Sequence, residues 1–230
     1  MRWRVLNGAL TKCSLDKPNS TSKIYNCSAS SLSKRHKKQV DLIVTDPPYA
    51  DHAPYLEYSD FYWSIISGQR TKPLWGKEIV KTNAIERKRD SDDYESRMSN
   101  SFKSILSILK DNGYLVFFYV DKNIYHWEII KSAVISSGCI IEDVIAISKQ
   151  RRSMKTVTSP GKTLDGDLIV ICKKTMRKPS NKTQIMLGDL LCQISGDTYF
   201  ERYGSFIKKY LMSEVLDLSE WNLNNISRLL

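Results

Sequence analysis

No two of the chain's ten glycines stand as Gly-x-Gly, so the sequence encodes no glycine-rich loop of the kind that cradles a nucleotide cofactor. Its five cysteines, Cys13, Cys27, Cys139, Cys172 and Cys192, are odd in number and scattered, and none form Cys-x-x-Cys. That excludes a zinc ribbon and a disulfide framework, and leaves buried free thiols as the expectation, with no metal. No apolar run approaches the ~20 residues needed to span a bilayer. The opening residues Met1-Arg2-Trp3-Arg4-Val5-Leu6 lack a signal peptide's long apolar stretch. A cytoplasmic location with no membrane partner is therefore expected. What the chain has in excess is positive charge: 35 Lys and Arg against 25 Asp and Glu give +10 over 230 residues. A polyanion is the first partner this implies, and an anionic membrane surface the second. With 41% apolar residues, an ordinary buried core is expected.

Residues 1–22 are polar and turn-rich and read as a lead-in, and Lys23–Cys27 as a short strand. Asp41–Thr45 is a continuous apolar run, as in a central parallel strand buried on both faces. Residues 50–95 form a long connection, of a length more often functional than idle. Met98, Phe102, Ile105, Leu106 and Leu109 recur at helical spacing and predict a helix over Ser96–Lys110, closed by Asp111-Asn112-Gly113 with Gly113 in the left-handed cap. Strands follow at Tyr114–Val120, Cys139–Ser148 and Leu168–Cys172, with a helix at Tyr125–Ser137 ended by Gly138. The last two strands read as a hairpin whose second member is an antiparallel edge strand. Residues 183–230 read as helical and amphipathic. The alternation predicts a parallel α/β sheet, with a unit at 23–178 and a C-terminal helical segment at 183–230.

The richest stretch is Val40-Asp41-Leu42-Ile43-Val44-Thr45-Asp46-Pro47-Pro48-Tyr49. Two prolines stop a strand, since neither donates to a ladder and each restricts the residue before it. The result is a rigid loop at a strand's C-terminal end, where open α/β sheets hold ligands. It presents a carboxylate, a fixed carbonyl and an aromatic face together, a set that can hold a flat ring bearing an amine. The stretch resembles motif IV of the amino-methyltransferases that methylate exocyclic nitrogens of adenine or cytosine in DNA. Its sequel, with Asp51, Tyr55, Ser59, Asp60 and Phe61, is similar to the catalytic half of the large bacterial adenine-specific DNA methylases.

The resemblance implies a partial Rossmann-like methyltransferase sheet, third to seventh strands, with a C-terminal helical extension. On it, Asp46 and the Pro47 carbonyl accept the two amine hydrogens, Pro48 fixes their geometry, and Tyr49 stacks on the base. Such groups act by positioning and by electrostatics. The base must first leave the duplex, and Tyr55, Tyr58, Tyr62 and Trp63 can wall its pocket or stack on it. An aromatic helix face packed on the sheet is the alternative, favoured for Phe61 and Trp63. His52 can touch phosphate or base. Among the basic clusters, the one holding Lys149, Arg151 and Arg152 ranks first for DNA, where the family's late loop nears the target strand. Lys34–Lys38 is expected to face the opposite edge as solvated surface.

The resemblance also implies S-adenosylmethionine as cofactor, with Asp46 and Tyr49 touching it. The family's Phe-x-Gly-x-Gly loop and the acidic residue that takes the ribose are absent, so the likeness covers about residues 23–175. Half a doubly wound sheet leaves an apolar strand edge open. The chain therefore reads as the catalytic subunit of a split, heteromeric DNA adenine N6-methyltransferase whose partner subunit carries the glycine loop, in a bacterial restriction-modification or phage-defence setting. The alternative is a non-catalytic nucleic-acid-binding or scaffolding subunit of a defence complex.

Overall fold

The computed structural model describes residues 25, 27–36, 39–49, 55–69, 78–81, 91–148, 164–175, 183–220 and 230. The expected lead-in, the strand at Lys23–Cys27, His52 and the basic loop from Lys149 to Lys162 lie wholly or mostly outside these residues. After a 3-10 turn at Ala29–Ser31 come α1 (Leu32–Arg35), β1 (Val40–Thr45), α2 (Tyr55–Ser67) and α3 (Ser91–Ser107). They are followed by β2 (Leu109–Tyr119), α4 (Ile124–Ser136), β3 (Cys139–Ser148) and β4 (Gly166–Lys174). The C-terminal part holds β5 (Gln184–Ile185), α5 (Leu187–Cys192), α6 (Tyr199–Met212) and β6 (Glu214–Val215). Residues 183–220 are thus not purely helical: β5 and β6 pair in parallel and tie the two helices together.

β1 to β4 form one sheet in the order β1-β2-β4-β3. β1 and β2 run parallel, while β4 is antiparallel to both its neighbours. The hairpin expectation holds in its pairing but not in its position. β4 is an interior strand, and β3 takes the edge. Leu168, Val170 and Cys172 of β4 are fully buried, which an edge position would not require. β1 is also corrected: among the described residues it pairs only with β2, and Leu42 and Val44 are 55% and 62% exposed. Its apolar run suits a strand covered on both faces, but Ile43 and Thr45 are only half-buried and Leu42 and Val44 are exposed.

The register explains which one. Leu115, Phe117 and Tyr119 of β2 lie opposite Cys172, Val170 and Leu168 of β4, so these six share a face. Helices α3, α4 and α6 cover it. Phe102 meets Phe117 edge-on, Trp127 meets Tyr119 edge-on, and Gly204 lets α6 close on Ala146 and Leu168. On the other face stand Val116 and Phe118, opposite Ile171 and Ile169, with Ile145 beyond. These are half-buried or exposed.

Local signals account for the boundaries. Asn123 caps α4, its side chain accepting from the Tyr125 N–H, and Gly138 ends that helix at φ 79°. α6 opens on a capping box between Thr198 and Glu201. The helix expected at Ser96–Lys110 begins and ends earlier. It stops at Ser107, where the Lys174 ammonium donates to the carbonyls of Leu106 and Leu109. Asp111-Asn112-Gly113 lies within β2, where pairing jumps from Val40–Leu109 to Leu42–Tyr114. The left-handed residue there is Asn112, at φ 62°. Gly113 serves close approach instead: a Cβ on it would stand 2.9 Å from the Asp41 carbonyl oxygen.

Candidate active site

The Asp46–Tyr49 loop leaves the C-terminal end of β1, where Thr45 is paired with Phe117. Asp46 is exposed, Pro47 buried, and Pro48 and Tyr49 half-buried. The Tyr49 hydroxyl donates to Asp46 Oδ1 at 2.9 Å, fixing the carboxylate. Asp46 Oδ2 makes no hydrogen bond among the described residues. Burial first, and then Asp46, raises the Tyr49 hydroxyl well above the ordinary tyrosine range, so it stays a donor at neutral pH. The Tyr49 ring also faces Tyr119, with centroids 5.4 Å apart and planes at 66°.

Behind the loop lies a buried polar chain that sequence reasoning did not find. Tyr94, from the first turn of α3, donates its hydroxyl to the Pro48 carbonyl at 3.0 Å. It lies 3.2 Å from the Tyr119 hydroxyl, which is in turn 3.2 Å from Asp121 Oδ2. His126 Nδ1 meets the same Asp121 oxygen at 2.7 Å, and the Asn123 N–H donates to Oδ1 at 2.8 Å. The Asp121 carbonyl accepts from the Tyr203 hydroxyl and the Trp127 indole. With Tyr94 donating to Pro48 and Tyr119 donating to Asp121, both hydroxyl protons are used along the chain and the Tyr94–Tyr119 oxygens stand in close contact between them. Loop, α3, β2, α4 and α6 thus meet in one network, and buried networks of this kind hold a single geometry.

The sequence-predicted residues separate into groups. Asp46, Pro47, Pro48 and Tyr49 stand together. Tyr55 begins α2 and is 58% exposed. The expectation that Phe61 and Trp63 pack on the sheet fails, since they are 61% and 49% exposed. Asp60 is the only buried residue of α2, so this helix carries an uncovered apolar surface. His52, Lys149, Arg151 and Arg152 lie outside the described residues. Among the described residues no cluster of metal-ligating side chains exists, and no helix is long and apolar enough to cross a membrane.

A family model described as DNA methylase matches residues 40–217, which include the Asp46–Tyr49 loop and every strand of the sheet. The chain belongs to the DNA methylase family. Its mixed sheet, with β4 antiparallel to both neighbours, is a partial Rossmann-like methyltransferase sheet. Among solved structures, it is similar to M1.HpyAVI, described as a complex with SAM, at 15% identity and a TM-score of 0.41. That match covers 70% of this chain and 59% of the other. It is also similar to a protein of Thermus thermophilus, a DNA modification methylase by its description, at 16% identity and a TM-score of 0.37. Here 66% of this chain and 53% of that one are covered. The chain therefore spans little more than half the length of these proteins. No curated protein matches it.

Proposed function

We propose that the chain is the catalytic half of an S-adenosylmethionine-dependent DNA adenine N6-methyltransferase. The observation that carries this is the Asp46–Tyr49 loop: an exposed carboxylate with one oxygen fixed by Tyr49, beside the constrained Pro47 carbonyl. The exocyclic amine of adenine is a poor nucleophile because its lone pair is delocalised into the ring. Asp46 accepts one amine hydrogen and the Pro47 carbonyl the other, which makes the nitrogen more tetrahedral, withdraws its lone pair from conjugation with the ring and points it at the methyl donor. Preorganised acceptors of this kind need no rearrangement as the reaction proceeds. The Tyr49 ring is the stacking surface, and its hydroxyl keeps Asp46 in place. Tyr55, Tyr58 and Tyr62, exposed on α2, supply further stacking surfaces for an extruded base. His52, Lys149, Arg151 and Arg152 contact the DNA. No strong base is demanded, because the amine proton leaves readily after transfer.

The family's cofactor fits one wall of this site and not the other. Asp46 and Tyr49 lie at the strand terminus where S-adenosylmethionine, when bound, supplies the methyl group. The chain has no glycine pair to hold the rest of it. The glycine loop is assigned to a second subunit, whose strands extend the sheet from the open edge of β1. The exposed Leu42 and Val44, and the partly exposed apolar residues beside them on that face, support the assignment. A bacterial modification or phage-defence setting and a cytoplasmic location complete the reading. The missing glycine pair also favours a second reading, a non-catalytic nucleic-acid-binding or scaffolding subunit.

The test is methyl transfer from labelled S-adenosylmethionine to duplex DNA. The chain is assayed alone and co-purified with the products of its neighbouring genes. Transfer by the complex, reduced about 10²–10³-fold by Asp46→Ala, is expected. A complex that neither binds the cofactor nor transfers methyl groups supports the second reading and refutes the first.

A further inference from the structure

A cavity of about 690 Å³ lies between the 3-10 turn at Ala29–Ser31 and α3, in the size range of small-ligand sites. Ser28, Ser30, Ser31 and Arg35 line one side, and Ser96, Arg97, Asn100 and Ser101 of α3 the other. Hydrogen-bond donors dominate this lining. Among the described residues the only carboxylate in it is Asp93, which Arg97 already engages. That ion pair uses Arg97 Nε alone, 2.9 Å from each Asp93 oxygen. The terminal guanidinium nitrogens of Arg97 make no hydrogen bond among the described residues. Arg35 is exposed and has no carboxylate partner among them either. The third observation is independent of charge. Ser101 is 6% exposed, and its buried hydroxyl has no hydrogen-bond partner among the described residues, which is rare and asks for an explanation.

We propose that this cavity binds a phosphate group, held by Arg35, the terminal nitrogens of Arg97 and the serine hydroxyls around Ser101. Guanidinium donors match phosphate oxygens in geometry and charge. The source is the backbone of the DNA substrate. Arg97 lies one helical turn beyond Tyr94, whose hydroxyl holds Pro48, so a backbone phosphate here sets the register of the strand relative to the Asp46 loop. On this proposal Arg35 is a phosphate ligand rather than solvated surface alone. Only the source rests on the proposed function; the phosphate chemistry stands on the cavity.

Two arms test it on the full chain. In the first, inorganic phosphate is titrated against ¹⁵N-labelled protein. Shifts at the Arg97 Nε–H and the Ser101 amide are expected in the wild type and not in Arg35→Ala. Ser101→Ala, which removes only the unpartnered hydroxyl, weakens the response. In the second, duplex binding is followed by fluorescence anisotropy across a salt series. Arg35→Ala reduces the slope of log K against log salt by about 1, equally for unrelated sequences, while Lys110→Ala, at a residue that does not line the cavity and pairs with Asp41, leaves it unchanged. No phosphate-dependent shift in the wild type overturns the site. Shifts with an unaltered slope in Arg35→Ala keep the phosphate site and overturn DNA as its source. A chain that binds phosphate but no DNA in any assembly refutes the proposed function and not the cavity.

Discussion

Replacing Tyr94 with phenylalanine isolates the contact that holds the catalytic loop from behind. Tyr94 is 1% exposed and its ring is enclosed, so phenylalanine occupies the same space and only the hydroxyl goes. Two consequences follow. The Pro48 carbonyl loses a donor at 3.0 Å, and the Tyr119 hydroxyl loses a neighbour while keeping Asp121. A hydrogen bond contributes a net ~0.5–1.5 kcal/mol, and a buried acceptor left unmet costs ~1–3 kcal/mol. Pro48 is half-buried, so water can reach its carbonyl and the lower part of that range applies. The expected loss is about 1–2 kcal/mol, or about 2–8 °C in Tm for a chain of this size. Urea melts should show the midpoint falling with the slope unchanged. Tyr119→Phe should cost a similar amount. The double variant should cost less than the sum, by about 0.5–1 kcal/mol, because the two hydroxyls belong to one chain of contacts. In an assembly that transfers methyl groups, Tyr94→Phe should lower kcat about 10-fold while leaving KM for DNA nearly unchanged. The reasoning rests on small displacements of a catalytic group being costly. A Tyr94→Phe protein within ~0.3 kcal/mol of wild type, or strictly additive double-variant losses, would refute the network as a support for the loop.

Two more outcomes follow from packing and burial. Burial pushes the Cys139 thiol up to about 11, against an opposing effect of Lys174. A raised folded value means that stability is fully present below the unfolded thiol's value near 9 and falls as pH rises through about 11. That loss reaches about 2–3 kcal/mol from this group. Urea melts from pH 8 to 11 should show the decline, and Cys139→Val should make it shallower, leaving the part due to the buried Cys172 thiol, which is raised as well. Gly166→Ala should cost about 1–3 kcal/mol through overpacking, because its Cβ would stand 2.5 Å from the Ile147 carbonyl oxygen and overlap the Phe200 ring. A thermal melt unchanged by this substitution would contradict the close contact of β4 with α6.

The parts of the fold that were legible in the sequence are those set by local chemistry. Cys139–Ser148 was read to the residue, and Tyr125–Ser137 within one at each end. An apolar run between turn residues and a helix with Asn123 before it and Gly138 after it are local signals. The Asp46–Tyr49 loop was legible for the same reason, since two prolines cannot continue a ladder. What supports that loop was not. Tyr94 lies 46 residues from Pro48, and Tyr203 lies 82 from Asp121. No spacing rule connects such pairs, and each tyrosine read alone is an ordinary core aromatic. The error at Asn112 and Gly113 was of a different kind. Gly113 was assigned to a left-handed turn, but a neighbouring carbonyl in β1 is what excludes a side chain there. Phe61 and Trp63 were misjudged because an apolar helix face reports that something should cover it, not what does.

The sheet is apolar on both faces, yet α3, α4 and α6 cover only one. Leu42, Val44, Tyr114 and Ile145 on the other face are exposed, and the registers of all four strands place them side by side with Val116, Phe118, Ile169 and Ile171. α2 adds a second uncovered apolar surface, with Ile66 at 78% exposure. Soluble chains seldom carry contiguous apolar surface on this scale without burying it against something. The Asp46 loop stands where the open edge of β1 ends. Under the proposed function, the element that covers this partly exposed face and pairs with β1 also brings the missing cofactor wall to the same corner. Assembly and completion of the active site would then be a single event. A chain whose catalytic loop is already fixed from behind by Tyr94 needs no refolding of that loop when the event occurs.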